Sequence, residues 1–127
     1  MQFTSHKITG DGIGSRDVVP TINLAIPLDF SLKQGVYAAR ATLHYPNNQS
    51  HTYEGALHYG PRPTFHNLSM TLELHILSKL EDPSFSHESI QVTVCDFIRP
   101  VRTFASPDDL KQQIMSDISA IKIALAA

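Results

Sequence analysis

A chain of 127 residues, 42% hydrophobic and 17% charged, fits one soluble domain over residues 1–127 whose modest core needs no disulfide or metal staple. Its net charge of -2, with lysines and arginines scattered along the chain, argues against nucleic acid or an anionic membrane surface as the main partner. No apolar run reaches the length of a membrane span, residues 1–7 lack the order of a secretory signal, and the single cysteine, Cys95, points to a reducing, cytoplasmic setting.

Residues 2–8 read as a first strand of irregular alternation. Residues 9–19 form a loop carrying Gly10, Gly12 and Gly14, followed by Pro20 and a short strand over 21–26 that Pro27 closes. Thr21 and Asn23 stand two residues apart, so on an extended strand they share a face. A hydroxyl and an amide oxygen side by side can hold a hard cation such as Mg²⁺ beside a phosphate that the glycine loop cradles with its backbone N–H groups. The alternative is an ordinary surface turn leading into a strand.

Residues 36–45 are a clearer strand, with Tyr37, Ala39, Ala41, Leu43 and Tyr45 on one face. The turn formers at 46–50 and a strand over 53–59 complete a β-hairpin. Pro61 and Pro63 break the pattern, because prolines so placed cannot sit inside a sheet. The strand over 70–77 alternates cleanly: Met70, Leu72, Leu74 and Ile76 point one way, and Thr71, Glu73 and His75 the other. A further strand runs from 90 through 95 towards Ile98, ended by Pro100, with Cys95 expected as a small core residue.

The period then changes. Ser106 is a helix N-cap, Pro107 occupies the first helical position, and Asp108 and Asp109 complement the dipole of the first turn. Leu110, Ile114, Ile118, Ile121 and Leu125 recur as the apolar stripe of a helix packed on the sheet. Short antiparallel strands with one terminal helix suit a small closed or split β-barrel.

Glu73 is the most informative acidic residue, since a carboxylate in mid-strand is disfavoured by propensity and costly to bury. If its face lines a cleft, desolvation raises its pKa and suits it to accept a proton; otherwise it faces solvent. Seven histidines include His75 on the same face as Glu73, with His44, His58 and His66 on neighbouring elements, but none has the spacing of a zinc site. No serine lies in a Gly-x-Ser-x-Gly turn, and no Gly-Lys-Ser/Thr phosphate loop occurs. A phosphate site here therefore relies on backbone groups, Mg²⁺ and Arg16.

The order of motifs resembles the riboflavin kinase (flavokinase) family, found as a separate enzyme or as the C-terminal half of bifunctional bacterial FAD synthetases. The matching segments are Gly12 and Gly14, Pro20-Thr21-Ile22-Asn23, Gly35-Val36-Tyr37-Ala38 and Gly60-Pro61-Arg62-Pro63-Thr64-Phe65. They continue with Leu72-Glu73-Leu74-His75-Ile76-Leu77, Ile98-Arg99-Pro100, Phe104, Ser106 and residues 110–117, so the resemblance covers nearly the whole chain. It implies a six-stranded Greek-key β-barrel with a C-terminal α-helix, and transfer of the γ-phosphoryl group of ATP to the 5′-hydroxyl of riboflavin to give FMN. It also implies that Thr21 and Asn23 bind Mg²⁺ and the nucleotide phosphates. The loop with Gly10, Gly12, Gly14 and Arg16 then covers those phosphates, and Glu73 takes the hydroxyl proton.

The chain is expected to act as a monomer on small molecules, without a fused adenylyltransferase domain. Asp17-Val18-Val19 stands where the family has Leu-Gly-Phe, His58-Tyr59-Gly60 where it has Asn-x-Gly, and Phe85-Ser86-His87 where it has Leu-Tyr-Gly. Asp17 brings negative charge towards the expected triphosphate. A different reading follows from these departures: a module on the same barrel that binds a flavin or nucleotide with weak or no turnover.

Overall fold

The computed structural model describes residues 1–8, 20–61, 70–80, 82 and 84–126. Six strands, β1 (Gln2–Ser5), β2 (Thr21–Leu24), β3 (Gly35–His44), β4 (Ser50–Pro61), β5 (Met70–Ile76) and β6 (Ile90–Arg99), precede one helix, α1 (Pro107–Ala126). They form one antiparallel sheet in the order β1-β6-β3-β4-β5-β2. The two ends of that order meet. Lys7 bridges Leu24, the Ile8 N–H donates to the Asn23 carbonyl at 2.8 Å, and the Ala25 N–H donates to the His6 carbonyl at 2.9 Å. The sheet thus curls back on itself. Strands β3, β4 and β5 follow one another while β2 lies beside β5, the Greek-key arrangement. The six-stranded Greek-key β-barrel with a C-terminal helix is the fold the sequence predicts.

Alternation divides the strands between two environments. Inside the barrel pack Ile22, Leu24, Tyr37, Ala39, Ala41, Leu43, Leu57, Leu72, Leu74, Ile76, Ile90 and Val92, all buried. Each large side chain so placed contributes about 1.5–3 kcal/mol of transfer free energy. Phe85 fills the same core, and its segment is tied down by the Ser86 N–H donating to the His44 carbonyl at 2.7 Å. The outer face is covered only in part. Ile121 and Leu125 of α1 rest on Val36, Ala38 and Ala56, whose small side chains let the helix approach.

Ser106 caps α1 as its sequence predicts, with Oγ accepting from the Asp109 N–H at 3.2 Å. The predicted stripe is only partly used: Leu110, Ile114 and Ile118 are half-buried, because the apolar patch beneath the helix extends only to its C-terminal half. Ahead of that patch the contact is ionic. Asp117, 5% exposed, accepts from Arg99 Nε at 2.8 Å and Arg99 Nη2 at 2.9 Å, and from Gln113 Nε2 at 3.0 Å.

Three expectations are corrected. Cys95 is exposed, not a core residue. The register of β6 against β3 slips between Ala39 and Ala38 and again between Tyr37 and Val36, so Cys95 and Ile98 have no residue opposite them. Alternation itself turns Cys95 outward, since Ile90, Val92 and Val94 pack inward, and the second bulge restores the parity that the first inverts, leaving Arg99 opposite outer-face Val36. β4 extends beyond 53–59 at both ends, and Pro61 is its last residue, opposite Met70, where a missing N–H costs the ladder little. β2 ends at Leu24, two residues before the predicted limit.

Candidate active site

The barrel's outer face carries a continuous cross-strand row. Arg99 on β6 stands opposite Val36 on β3, Val36 opposite His58 on β4, His58 opposite Glu73 on β5, and Glu73 opposite Asn23 on β2. Directly opposed residues project to one side with Cβ atoms about 5 Å apart. The neighbouring row adds Thr21 opposite His75 and His75 opposite Ala56. Helix α1 covers β3 and β4 through Val36, Ala38 and Ala56. Beyond that patch the outer positions of β5 and β2 carry Glu73, His75, Thr21 and Asn23. This is why the alternation of β5 reads apolar on one side and polar on the other.

Glu73 is neither solvated nor sealed. Its side chain is 15% exposed, as is that of His75, and its Oε2 lies 3.8 Å from His75 Nε2. His75 Nδ1 in turn lies 2.9 Å from Thr21 Oγ1. A threonine hydroxyl can donate to an imidazole nitrogen and still offer lone pairs to a cation. Thr21 and Asn23 thus share a face as the sequence predicts, and the register sets Asn23 beside Glu73. Gly10, Gly12, Gly14, Arg16 and the departures at Asp17, Val18 and Val19 lie outside the described residues, as does His66.

Sequence reasoning did not place His58 in this row. It is 9% exposed, and neither ring nitrogen has a hydrogen-bond partner among the described residues. Each buried polar atom left in that condition costs about 1–3 kcal/mol. Burial lowers the His58 pKa to about 4; Glu73 opposes the shift, and the charges of His75 and Arg99 add to it. The ring is therefore neutral at pH 7. The signal available beforehand was parity, because Leu57 and Tyr59 facing inward require His58 to face outward.

A pH dependence of stability follows. An unfolded histidine titrates near 6.5 and His58 near 4, so between these values the unfolded chain binds the extra proton. Stability therefore rises with pH. The His58 contribution is fully present above pH 6.5 and is lost as the pH falls to about 4, a change of about 3 kcal/mol. Urea denaturation of the native chain and of His58→Leu over this range measures it: the native chain should lose that much more stability than the variant. Parallel curves for the two would contradict the assignment.

Two grooves among the described residues lie elsewhere. One, of about 530 Å³, runs between Phe104 and Gln113, and the other, of about 500 Å³, between Glu54 and Lys122. Neither is lined by Thr21, Asn23 or Glu73. No cluster of three or more histidine, cysteine or acidic side chains able to hold a metal occurs among the described residues. No helix among them is long and apolar enough to cross a membrane.

A family model described as riboflavin kinase matches residues 1–125. The chain belongs to the riboflavin kinase family. Relatives include the bifunctional riboflavin kinase/FMN adenylyltransferase of Haemophilus influenzae, 30% identical over 115 residues that make up 91% of this chain and 35% of that protein. The protein of the same description from Escherichia coli K12 is 33% identical over the same shares, and that of Buchnera aphidicola 27% over 122 residues. The chain thus spans about a third of the length of these relatives. A crystal structure described as a macrolide-efflux protein from Streptococcus pneumoniae superposes with a TM-score of 0.73 at 24% identity, covering 95% of this chain and 38% of that one. At that identity the likeness is one of fold.

Two of the segments that resemble the riboflavin kinase family, Thr21–Asn23 and Glu73, are neighbours across one strand pair. The departure at residues 85–87 lies close to β2: the Lys7 N–H donates to the His87 carbonyl at 2.7 Å, and Lys7 bridges Leu24, the residue after Asn23. The same segment is also held by the Ser86 N–H, which donates to the His44 carbonyl at 2.7 Å. His58, in contrast, is a departure within the row itself.

Proposed function

We propose that the chain is an ATP-dependent riboflavin kinase, moving the γ-phosphoryl group of ATP to the 5′-hydroxyl of riboflavin to give FMN and ADP. Membership of the riboflavin kinase family and the names of the bifunctional relatives support the reaction class. The observation that carries the assignment of residues is the register of Asn23 against Glu73, with Thr21 on the same face.

Phosphoryl transfer needs in-line positioning and charge stabilisation more than covalent help from the protein. The donor set of Thr21 and Asn23 is a hydroxyl and an amide oxygen, hard ligands of the kind Mg²⁺ takes together with water and phosphate oxygens. Bound there, Mg²⁺ would neutralise charge on the triphosphate. The backbone of Gly10, Gly12 and Gly14 and the side chain of Arg16 hold the remaining phosphate oxygens in this reading. Glu73 accepts the proton of the 5′-hydroxyl as its oxygen bonds to the γ-phosphorus. The bond from that phosphorus to the bridging oxygen breaks, and the electron pair leaves with ADP.

The test is product analysis. The purified chain, incubated with riboflavin, ATP and Mg²⁺, should give FMN and ADP in equal amounts by chromatography. Calorimetry that finds riboflavin binding but no MgATP binding, with no FMN formed, would instead make the chain a flavin-binding module.

A further inference from the structure

Two adjacent side chains of the row, His58 and Glu73, have complementary bonding capacity to spare. Neither ring nitrogen of the buried His58 takes part in a hydrogen bond among the described residues. Opposite it, Glu73 carries an acceptor-only carboxylate whose contact with His75 Nε2, at 3.8 Å, is too long for a hydrogen bond. A neutral imidazole offers one N–H donor and one lone pair. Its neighbours in the row narrow what that N–H can meet. Val36 is apolar, and the Arg99 guanidinium brings only donors, two of them committed to Asp117 and one to the Pro100 carbonyl. The one acceptor side chain directly opposite His58 is Glu73.

We propose that His58 is the positioning residue of Glu73: with substrates bound, its ring N–H donates to one carboxylate oxygen and turns the other towards the hydroxyl that is phosphorylated. This rests on the kinase reading above. Substrates arriving on this face displace water from Glu73, and a carboxylate that loses water needs a donor in its place. His58 supplies one without adding a charge, since burial keeps it neutral, with His75 and Arg99 adding to that effect and Glu73 opposing it. Its closed environment also fixes the ring, so the carboxylate is held rather than merely neutralised.

The experiment compares the native chain, His58→Leu, His58→Asn and Glu73→Gln in steady-state FMN formation, with thermal unfolding as the check on folding. His58→Leu replaces an unsatisfied polar ring with an apolar side chain and should melt no lower than the native chain. Its kcat should fall by about 10²-fold, the loss expected when a reacting group is misplaced by about 1 Å. The KM values for riboflavin and MgATP should stay within about twofold. His58→Asn returns an N–H donor and should recover most of the rate. Adding His58→Leu to Glu73→Gln should cost less than about threefold more, because the two act as a unit. If the leucine variant does not fold, His58→Met takes its place.

A leucine variant with native kcat overturns the proposal. So does one with raised KM and unchanged kcat, which would put the ring against substrate, and so does a full multiplicative loss in the double variant. A native chain that makes no FMN overturns the kinase reading itself, a result distinguishable because it precedes every variant.

Discussion

Glu73→Gln is expected to lower the kcat for FMN formation by about 10²- to 10⁴-fold, the usual contribution of a positioned general base. The change is isosteric and removes only basicity. Glutamine keeps an oxygen that accepts a hydrogen bond, and the side chain stays at its half-buried place between His58 and Asn23. The KM values should therefore remain within about twofold, since the lost interaction belongs to the transition state rather than to the bound substrates. Glu73→Asp keeps the base but withdraws it by one methylene, and should fall between the native chain and the glutamine variant. Steady-state kinetics on the three proteins, with melting temperatures as control, measures this. Native turnover by Glu73→Gln would remove Glu73 from the proton transfer.

Asp117→Ala is expected to destabilise the fold by about 3–5 kcal/mol, the loss that follows when one partner of a buried ion pair is removed. Arg99 makes two hydrogen bonds to Asp117 from a side chain that is only 14% exposed. Without the carboxylate the guanidinium keeps its charge and loses its principal partner. The helix also loses its ionic attachment ahead of the apolar patch formed by Ile121 and Leu125. The double change Arg99→Met with Asp117→Leu should recover most of the loss, because an apolar pair of similar volume has no charge to desolvate. Urea denaturation of the single and double variants checks both statements. Equal losses in the two would mean that the pair itself, rather than the orphaned charge, sets the cost.

How far the sequence could be read depended on where parity holds. In β3, β4 and β5 a strict period of two separates core from outer face, so Tyr37, Leu57 and Leu74 read inward and Glu73 outward from the sequence alone. The pairing of Asn23 with Glu73 needs the register of β2 on β5, which joins segments fifty residues apart and is closed by the whole barrel. Between the two bulges of β6 parity is inverted, so Asp96 pairs with outer-face Ala38 and Phe97 with inner-face Tyr37. Simple alternation from Ile90, Val92 and Val94 already turns Cys95 and Arg99 outward, the two bulges cancelling at Arg99, so Cys95 was misassigned by residue type and not by parity. The helix stripe was legible as amphipathic, but how much of it is buried depends on the patch of Val36, Ala38 and Ala56, which is shorter than the helix. His58 was in plain view as a histidine in a strand. Its place between Val36 and Glu73 emerges only once three strands are set side by side.

Thr21, Asn23 and Glu73 are proposed to form one phosphoryl-transfer centre. This is tested most directly by a single turnover, with the chain in molar excess over riboflavin, saturating MgATP, and quenched samples analysed for FMN and ADP. The native chain should convert the riboflavin completely, with one ADP per FMN, and Glu73→Gln should form almost none on the same timescale. Riboflavin left unchanged by the native chain at long times, or equal rates for the two proteins, would contradict it.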